Sequence, residues 1–360
     1  MSNPPPSAER VCPNCGQAIT PATILCPFCG VSTLESPVWA APPPEALGRA
    51  KAAKGKIPLG VAASNVVAIG LVLLAFGLTS AARSGDAAGV LIGSVFILVP
   101  LVMGLVSAWF WRDLNLSTGS YFLYSLVDCA LGLVLSAVFM AEGGICLLIV
   151  SPLLIVMVFG GALLGRTLFA RNNNRLNLSL IPIALAVLAF DALSPHHARF
   201  AVADRIVIHA PPAVVWRHIA AFPPIPEKPD FRLFQMGLPY PVQSTIQGVY
   251  VGAERRCVFS QNLVFDERVT ECEPNKKLTF DIVHQPDHPE ILGHAAVKRG
   301  QFLLQDNGDG TTTLTGKSWY ELYVYPSWYY RLWADDIARQ VHWRVMNRVK
   351  TVCESPDGHV

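Results

Sequence analysis

The sequence predicts a multi-domain membrane protein in three parts: a small cysteine-paired head, an α-helical transmembrane bundle of about five spans, and an α+β domain towards the C-terminal end. Three observations lead there. Two Cys-x-x-Cys-Gly units stand within residues 1–30, a series of long apolar stretches fills 57–194, and from about residue 200 the pattern turns to short strand-like runs closed by one long helical stretch. At 360 residues the chain has room for two or three domains. Hydrophobic residues make up 52% and charged residues 15%, against about 25% charged in ordinary soluble domains. A net charge of +2 is too small to argue for nucleic acid as a partner.

In the head, Cys12-Pro-Asn-Cys15-Gly16 and Cys26-Pro-Phe-Cys29-Gly30 are separated by ten residues. Four thiolates in two close pairs suit a tetrahedral Zn2+ ion, and the following glycines let the backbone fold tightly round the sulfurs. The unit resembles a minimal zinc ribbon, its linker shorter than the common one. With all four positions filled by sulfur the metal has no open site, so its expected role is structural, with a protein partner docking on the ribbon. The redox alternative lacks a βαβ setting. The other five cysteines, Cys129, Cys146, Cys257, Cys272 and Cys353, suggest no disulfide framework. Thiolate ligation favours a reducing compartment and therefore a cytoplasmic head.

Residues 31–56 read as a Pro/Ala-rich linker ending in Arg49, Lys51, Lys54 and Lys56, a positive-inside anchor for the first span. The N-terminal stretch MSNPPPSAER has no charged-then-apolar run, so the first span is expected to serve as targeting signal. Spans are expected at about 57–82, 87–111, 120–141, 144–165 and 176–194. The fifth is short and contains Pro182 and Asp191. Arg112 in the second loop and Arg166, Arg171 and Arg175 in the fourth place those loops in the cytoplasm. The expected location is the bacterial inner membrane, with the N-terminus cytoplasmic and the C-terminal domain periplasmic. If the fifth stretch lies on the interface instead, that domain is cytoplasmic. Asp128, well inside the third span, needs hydrogen bonds from Asn65 or from a serine across the bundle, since no Lys or Arg lies within another span.

After residue 200, strands are expected at 200–210, 252–260, 263–272, 277–284, 295–305 and 311–323, with a short helix from Pro211-Pro212 and a closing helix over about 326–354. Asn307-Gly308-Asp309-Gly310 marks a hairpin turn. The apolar positions of the closing helix include Trp328, Leu332, Ile337, Val341, Val345 and Val349. This is a helix-grip layout, here assigned to 200–355. The segments IVIHAPPAVVWRHI (206–219), GAERRCVF (252–259), ERVTECEPNKKLTF (267–280) and GTTTLTGKSWY (310–320) resemble the START-like superfamily, also called SRPBCC or polyketide-cyclase/dehydrase-like. The resemblance implies an apolar cavity between a curved sheet and the long helix, able to hold a hydrophobic ligand.

Strand pairing gives that cavity candidate walls. A turn at Gln261-Asn262 sets Arg256 opposite Glu267 and Val258 opposite Phe265, and a turn at 273–276 sets Val269 opposite Phe280 and Glu267 opposite Ile282. One face then collects Val258, Phe265, Val269, Leu278, Phe280 and Ile282 around Arg256 and Glu267, while Arg255, Asp266 and Arg268 face water. The Arg–Glu pair is either a polar handle for a ligand or a cross-strand pair that fixes register. Tyr320 joins these as a cavity candidate. The histidines at 284, 288 and 294, with Pro286 and Pro289 between them, read as a solvated loop rather than a metal site. The aromatic cluster Trp328, Tyr329, Tyr330, Trp333 and Trp343 reads as core or cavity wall, or as interfacial anchors should the domain hug the bilayer. No catalytic triad, nucleotide-binding loop or catalytic-metal motif is legible. The expected function is membrane-anchored binding or sensing of a lipid-like molecule. Two alternatives stand beside it: a cyclase- or dehydratase-like enzyme on an apolar substrate, and a membrane assembly protein.

Overall fold

The computed structural model describes residues 10–12, 14–20, 24–30, 44–81, 92–140, 143–169, 198–290 and 294–355. The chain divides into two units, Met1–Lys56 and Ile57–Val360. In the first, strands β1 (Arg10–Val11) and β2 (Ala18–Ile19) pair antiparallel. Gly16 and Gly30 each adopt positive φ, and their N–H groups donate back to the carbonyls of Cys12 and Cys26, which closes the two knuckle turns. The expected spacer over 31–56 is corrected in its second half: helix α1 (Pro44–Ala81) begins inside it. Pro44 suits a first helical position, and the Ala- and Lys-rich stretch after it is a strong helix former.

In the second unit, α1 is followed by α2 (Ile92–Trp111), α3 (Thr118–Met140) and α4 (Gly144–Leu168). Among the described residues, three stretches are long and apolar enough to cross a membrane, Gly55–Leu74, Thr118–Phe139 and Gly144–Leu168, and Ile97–Trp111 forms a shorter apolar helix. The expected fifth span at 176–194 lies outside the described residues. Helices α2 and α4 cross at glycine: a Cβ at Gly104 would meet the Val158 carbonyl oxygen at 2.0 Å, and one at Gly161 would meet that of Leu101 at 2.1 Å. Backbone-to-backbone approach is how apolar helices gain contact where lipid is as hydrophobic as the side chains. Asp128 is fully buried and takes hydrogen bonds at 2.7 Å from Ser64 and Asn65 on Oδ1 and from Ser107 on Oδ2. Both kinds of partner expected from sequence are present.

The C-terminal domain is a seven-stranded antiparallel sheet, a half-barrel, with its last helix laid across the concave face. Its elements are β3 (Ala198–Ile208), α5 (Pro212–Ala220), α6 (Arg232–Gln235), β4 (Pro241–Ile246), β5 (Glu254–Phe259), β6 (Val264–Glu273), β7 (Lys277–His284), β8 (Ala295–Asp306), β9 (Thr312–Leu322) and α7 (Ser327–Glu354). The strand order is β3-β9-β8-β7-β6-β5-β4. The core between sheet and helices centres on Ile208, Val215, Ile219, Leu278, Leu314, Met346 and Val349.

Three expectations change. β4 and α6 were not legible, because β4 opens on Pro241 and α6 is a single turn. The β5–β6 register is shifted by one residue: Arg255 faces Glu267, Arg256 faces Asp266 and Cys257 faces Phe265. The connection is a three-residue turn, Ser260–Asn262, with Gln261 and Asn262 both at positive φ and the Phe259 N–H bonded to the Leu263 carbonyl. One more turn residue than the two-residue reading sends each β5 side chain to the opposite face. Finally, Trp328 and Leu332 are each 66% exposed and do not belong to the inner stripe of α7.

Candidate functional site

A cavity of about 260 Å³ lies between the sheet and α7. That is near the low end of small-molecule pockets, which run from roughly 300 to 1,000 Å³. Of the candidates, Phe265, Glu267, Phe280, Ile282 and Tyr320 line it, while Arg256, Val258 and Val269 do not. Val269 is buried in the core beside it, and Arg256 stands at the surface, paired with Asp266 at 3.2 Å. The one-residue shift brings Arg255 and Cys257 to the cavity in place of Arg256 and Val258. From α7 come Ala338, Val341, His342 and Val345.

The buried ion pair is Arg255–Glu267, 2% and 5% exposed. Arg255 Nε also donates to the Ala220 carbonyl at 2.9 Å and its NH2 group to Ser244 Oγ at 3.0 Å, and the guanidinium lies 4.7 Å from the Phe280 ring centroid. Burial pushes the Glu267 carboxyl up and the Arg255 charge opposes it. Burial also pushes the Cys257 thiol up to about 12, which removes it as a nucleophile. Tyr320 donates to Asp335 Oδ1 at 2.5 Å, and burial followed by that bond holds its hydroxyl above the ordinary phenol range.

On the other side of the cavity, Ser318 Oγ lies 2.8 Å from His342 Nε2, and His342 Nδ1 lies 2.8 Å from Asp204 Oδ2. Burial lowers the His342 pKa, with Asp204 opposing. Ser318 and His342 line the cavity, and Asp204 stands behind them on β3. Sequence reading missed this trio because three elements, β3, β9 and α7, contribute one residue each. The signal available was His342 itself, set between Ala338 and Val345 at helical spacing in an otherwise apolar face.

The cavity wall also meets the helix bundle. Glu290, a lining residue, accepts the Ile145 N–H on Oε1 at 3.1 Å and the Cys146 N–H on Oε2 at 2.9 Å, so a carboxylate from the domain caps the first turn of α4. Negative charge there is favoured both by the unpaired N–H groups and by the helix dipole. Tyr329 donates to the Ile149 carbonyl at 2.6 Å, and Tyr329, Tyr330 and Trp333 pack against Ile145 and Ile149. Tyr329, Tyr330 and Trp333 thus belong to a joint with α4, and none of the five aromatic residues expected there lines the cavity. Among the described residues, His284, His288 and His294 form no metal-holding group. His288 instead stands 3.1 Å from Gln261 Oε1 and accepts the Glu290 N–H.

Cys12, Cys15, Cys26 and Cys29 come together as expected, their sulfurs all within 4.8 Å of one another. The Cys12–Cys29 and Cys15–Cys26 sulfurs are 3.8 and 3.6 Å apart. A zinc tetrahedron with bonds of about 2.3 Å has edges of about 3.8 Å, so the four residues fit that metal. The Cys12 thiol is held down to about 6, chiefly by the Cys15 backbone N–H.

No protein-family model and no curated protein matches the chain. Solved structures resemble its C-terminal part at low identity. A START superfamily protein from Mycobacterium smegmatis is 14% identical with a TM-score of 0.31, covering 43% of this chain and 97% of that one. Norcoclaurine synthase from Thalictrum flavum, solved with dopamine and hydroxybenzaldehyde, is 10% identical with a TM-score of 0.31, covering 44% and 87%. A protein from Nitrosospira multiformis is 18% identical with a TM-score of 0.31, covering 44% and 100%. These are likenesses only, and the functional reading rests on the site.

Proposed function

We propose that this chain is a membrane-anchored protein that holds or senses a hydrophobic, lipid-like small molecule in its C-terminal domain. One observation carries the reading: an apolar cavity with a buried Arg255–Glu267 pair on its wall, whose wall residue Glu290 is bonded to the first turn of membrane helix α4. Aromatic and aliphatic walls supply affinity for an apolar body, and one charged pair supplies orientation. The joint to α4 sets the cavity where a molecule can pass between bilayer and protein. Trp328 and Leu332, exposed beside the Tyr329 contact, are the residues that would sit in the membrane interface.

The same joint supports a reading of the orientation. The chain leaves α4 at Leu168, beside Arg166, yet the domain meets the opposite end of that helix at Ile145. The cationic loops are cytoplasmic under the positive-inside rule, which assigns the domain to the periplasmic side. The cysteine head is assigned to the cytoplasm as a zinc ribbon that docks a protein partner. Zinc bound there would be structural, and the four thiolates would hold it with no position left for substrate.

The test is to purify the full chain from membranes, extract it with organic solvent and identify what comes out by mass spectrometry. A hydrophobic molecule at near one per chain is expected, and Ala338→Trp, which fills the cavity from α7, should lower its content by about tenfold or more at unchanged secondary structure. Recovery of bulk membrane lipid alone, in equal amounts from both proteins, would sink the reading. Metal analysis of the same samples should give one zinc per chain, lost in Cys15→Ser.

A further inference from the structure

Ser318, His342 and Asp204 form a relay whose hydroxyl end faces the cavity and whose carboxylate end lies behind it. We infer that this is a nucleophilic centre for acyl transfer, with an apolar carboxylic ester as the class of substrate. The geometry has the nucleophile, the base and the orienting carboxylate that such a centre needs. Ser318 Oγ and His342 Nε2 are 2.8 Å apart, as are His342 Nδ1 and Asp204 Oδ2. A carboxylate only accepts, so Nδ1 carries the proton and donates to Asp204, which leaves the Nε2 lone pair to take the proton of Ser318. His342 is 7% exposed and the Asp204 side chain 11%, so the imidazole is oriented by protein groups rather than by water. Arg339 Nε lies 3.9 Å from Asp204 Oδ1, on the side of the carboxylate away from His342 Nδ1, which bonds Oδ2. All three residues sit within regular elements, two mid-strand and one mid-helix, which fixes their rotamers better than loops would.

The step balances without any redox partner. As the ester carbonyl carbon meets Ser318 Oγ, the hydroxyl proton passes to His342 Nε2 and the carbonyl π pair moves onto oxygen. Collapse of that tetrahedral species breaks the bond to the alkoxy group, which takes the proton from Nε2 and leaves as an alcohol. Water then repeats the sequence on the acyl-serine, giving a carboxylic acid and restoring Ser318. The net change is ester plus water to acid plus alcohol.

The same geometry sets the rate. β9 is paired on both sides, Ser318 with Val202 of β3 and with Gly300 of β8, so the backbone N–H groups around Ser318 are committed to the sheet. One missing oxyanion donor costs roughly 10²–10³ in rate. The expected enzyme therefore acylates readily from activated esters and turns over slowly. The apolar half of the substrate rests on the cavity reading above, whereas the reactivity of Ser318 does not.

The experiment uses the full chain in detergent, treated with fluorophosphonates bearing a short and a long alkyl chain, with the modified residue located by peptide mass spectrometry. The expected result is phosphonylation of Ser318 by both probes, none at that peptide in Ser318→Ala, and labelling slowed by roughly 10²-fold or more in Asp204→Asn. Asp204→Asn keeps the shape of the side chain, and unchanged helix and sheet content would exclude misfolding as the cause. An unmodified Ser318 in folded wild-type protein, or equal labelling rates in wild type and Asp204→Asn, would overturn the nucleophile and leave the trio a polar strut between β3, β9 and α7. Labelling by the short probe alone would overturn the apolar substrate class while the nucleophile stands.

Discussion

The helix bundle and the C-terminal domain are both built from apolar side chains, and they end in opposite kinds of interior. Between α2 and α4 the packing closes until backbones touch at Gly104 and Gly161, and Asp128 spends both oxygens on Ser64, Asn65 and Ser107. In the domain the sheet curves away from α7 and leaves a cavity of about 260 Å³, with Glu267, Ser318 and His342 on its wall. Asp128 is consumed in holding the bundle together, whereas Glu267, Ser318 and His342 each keep a side turned toward the cavity. Burial alone therefore does not mark a functional group. What marks it is a buried group with a face left over.

Four experiments test that contrast, taken from the largest expected effect down. Glu267→Leu strands Arg255 in the core and should cost about 3–5 kcal/mol, lowering the domain's thermal midpoint by roughly 6–20 °C. Arg255→Met added to it should restore most of the loss, and a double variant no better than the single would show the pair to be uncoupled. Gly161→Leu forces α2 and α4 apart and should cost about 3 kcal/mol, read as lost resistance of the bundle to heating in detergent. Ligand content of the domain should survive it, and a parallel loss would mean that the two interiors are not independent. Asp128→Asn keeps an acceptor for Ser64 and Asn65 and should cost about 1 kcal/mol, well below Asp128→Leu, which orphans three donors. The order reversed would point to an ionised, functional carboxylate. Arg256→Ala should cost less than about 0.5 kcal/mol in the same thermal assay, since its partner Asp266 is a surface contact. A large loss there would return the buried role to Arg256.

The sequence was most legible where one local rule sufficed. Two Cys-x-x-Cys-Gly units foretold the four-sulfur cluster and the positive φ of Gly16 and Gly30. Apolar length placed α1 to α4, whereas the pairing of Glu267 with Ile282 and Val269 with Phe280 holds only because a bulge between Val269 and Glu271 offsets a turn one residue longer than expected, which pairs Glu273 with Lys277. Where a turn held one residue more than expected, at Ser260–Asn262, Arg255 and Arg256 exchanged places, although both lie in the same strand and carry the same charge. Composition cannot separate those two residues; only the φ values of Gln261 and Asn262 do. The Ser318–His342–Asp204 trio and the Glu290 cap were invisible for a different reason. Their partners stand 24, 138 and 145 residues apart, and nothing local to any of them announces the other.

The cap on α4 carries a consequence for how the protein is made. Ile145 and Cys146 are synthesised 145 and 144 residues before the carboxylate that satisfies them. At about 5–20 residues per second, the helix waits roughly 7–30 s with those N–H groups turned to water. The joint is therefore among the last contacts to form, and a chain stopped before residue 290 would leave the first turn of α4 without this carboxylate.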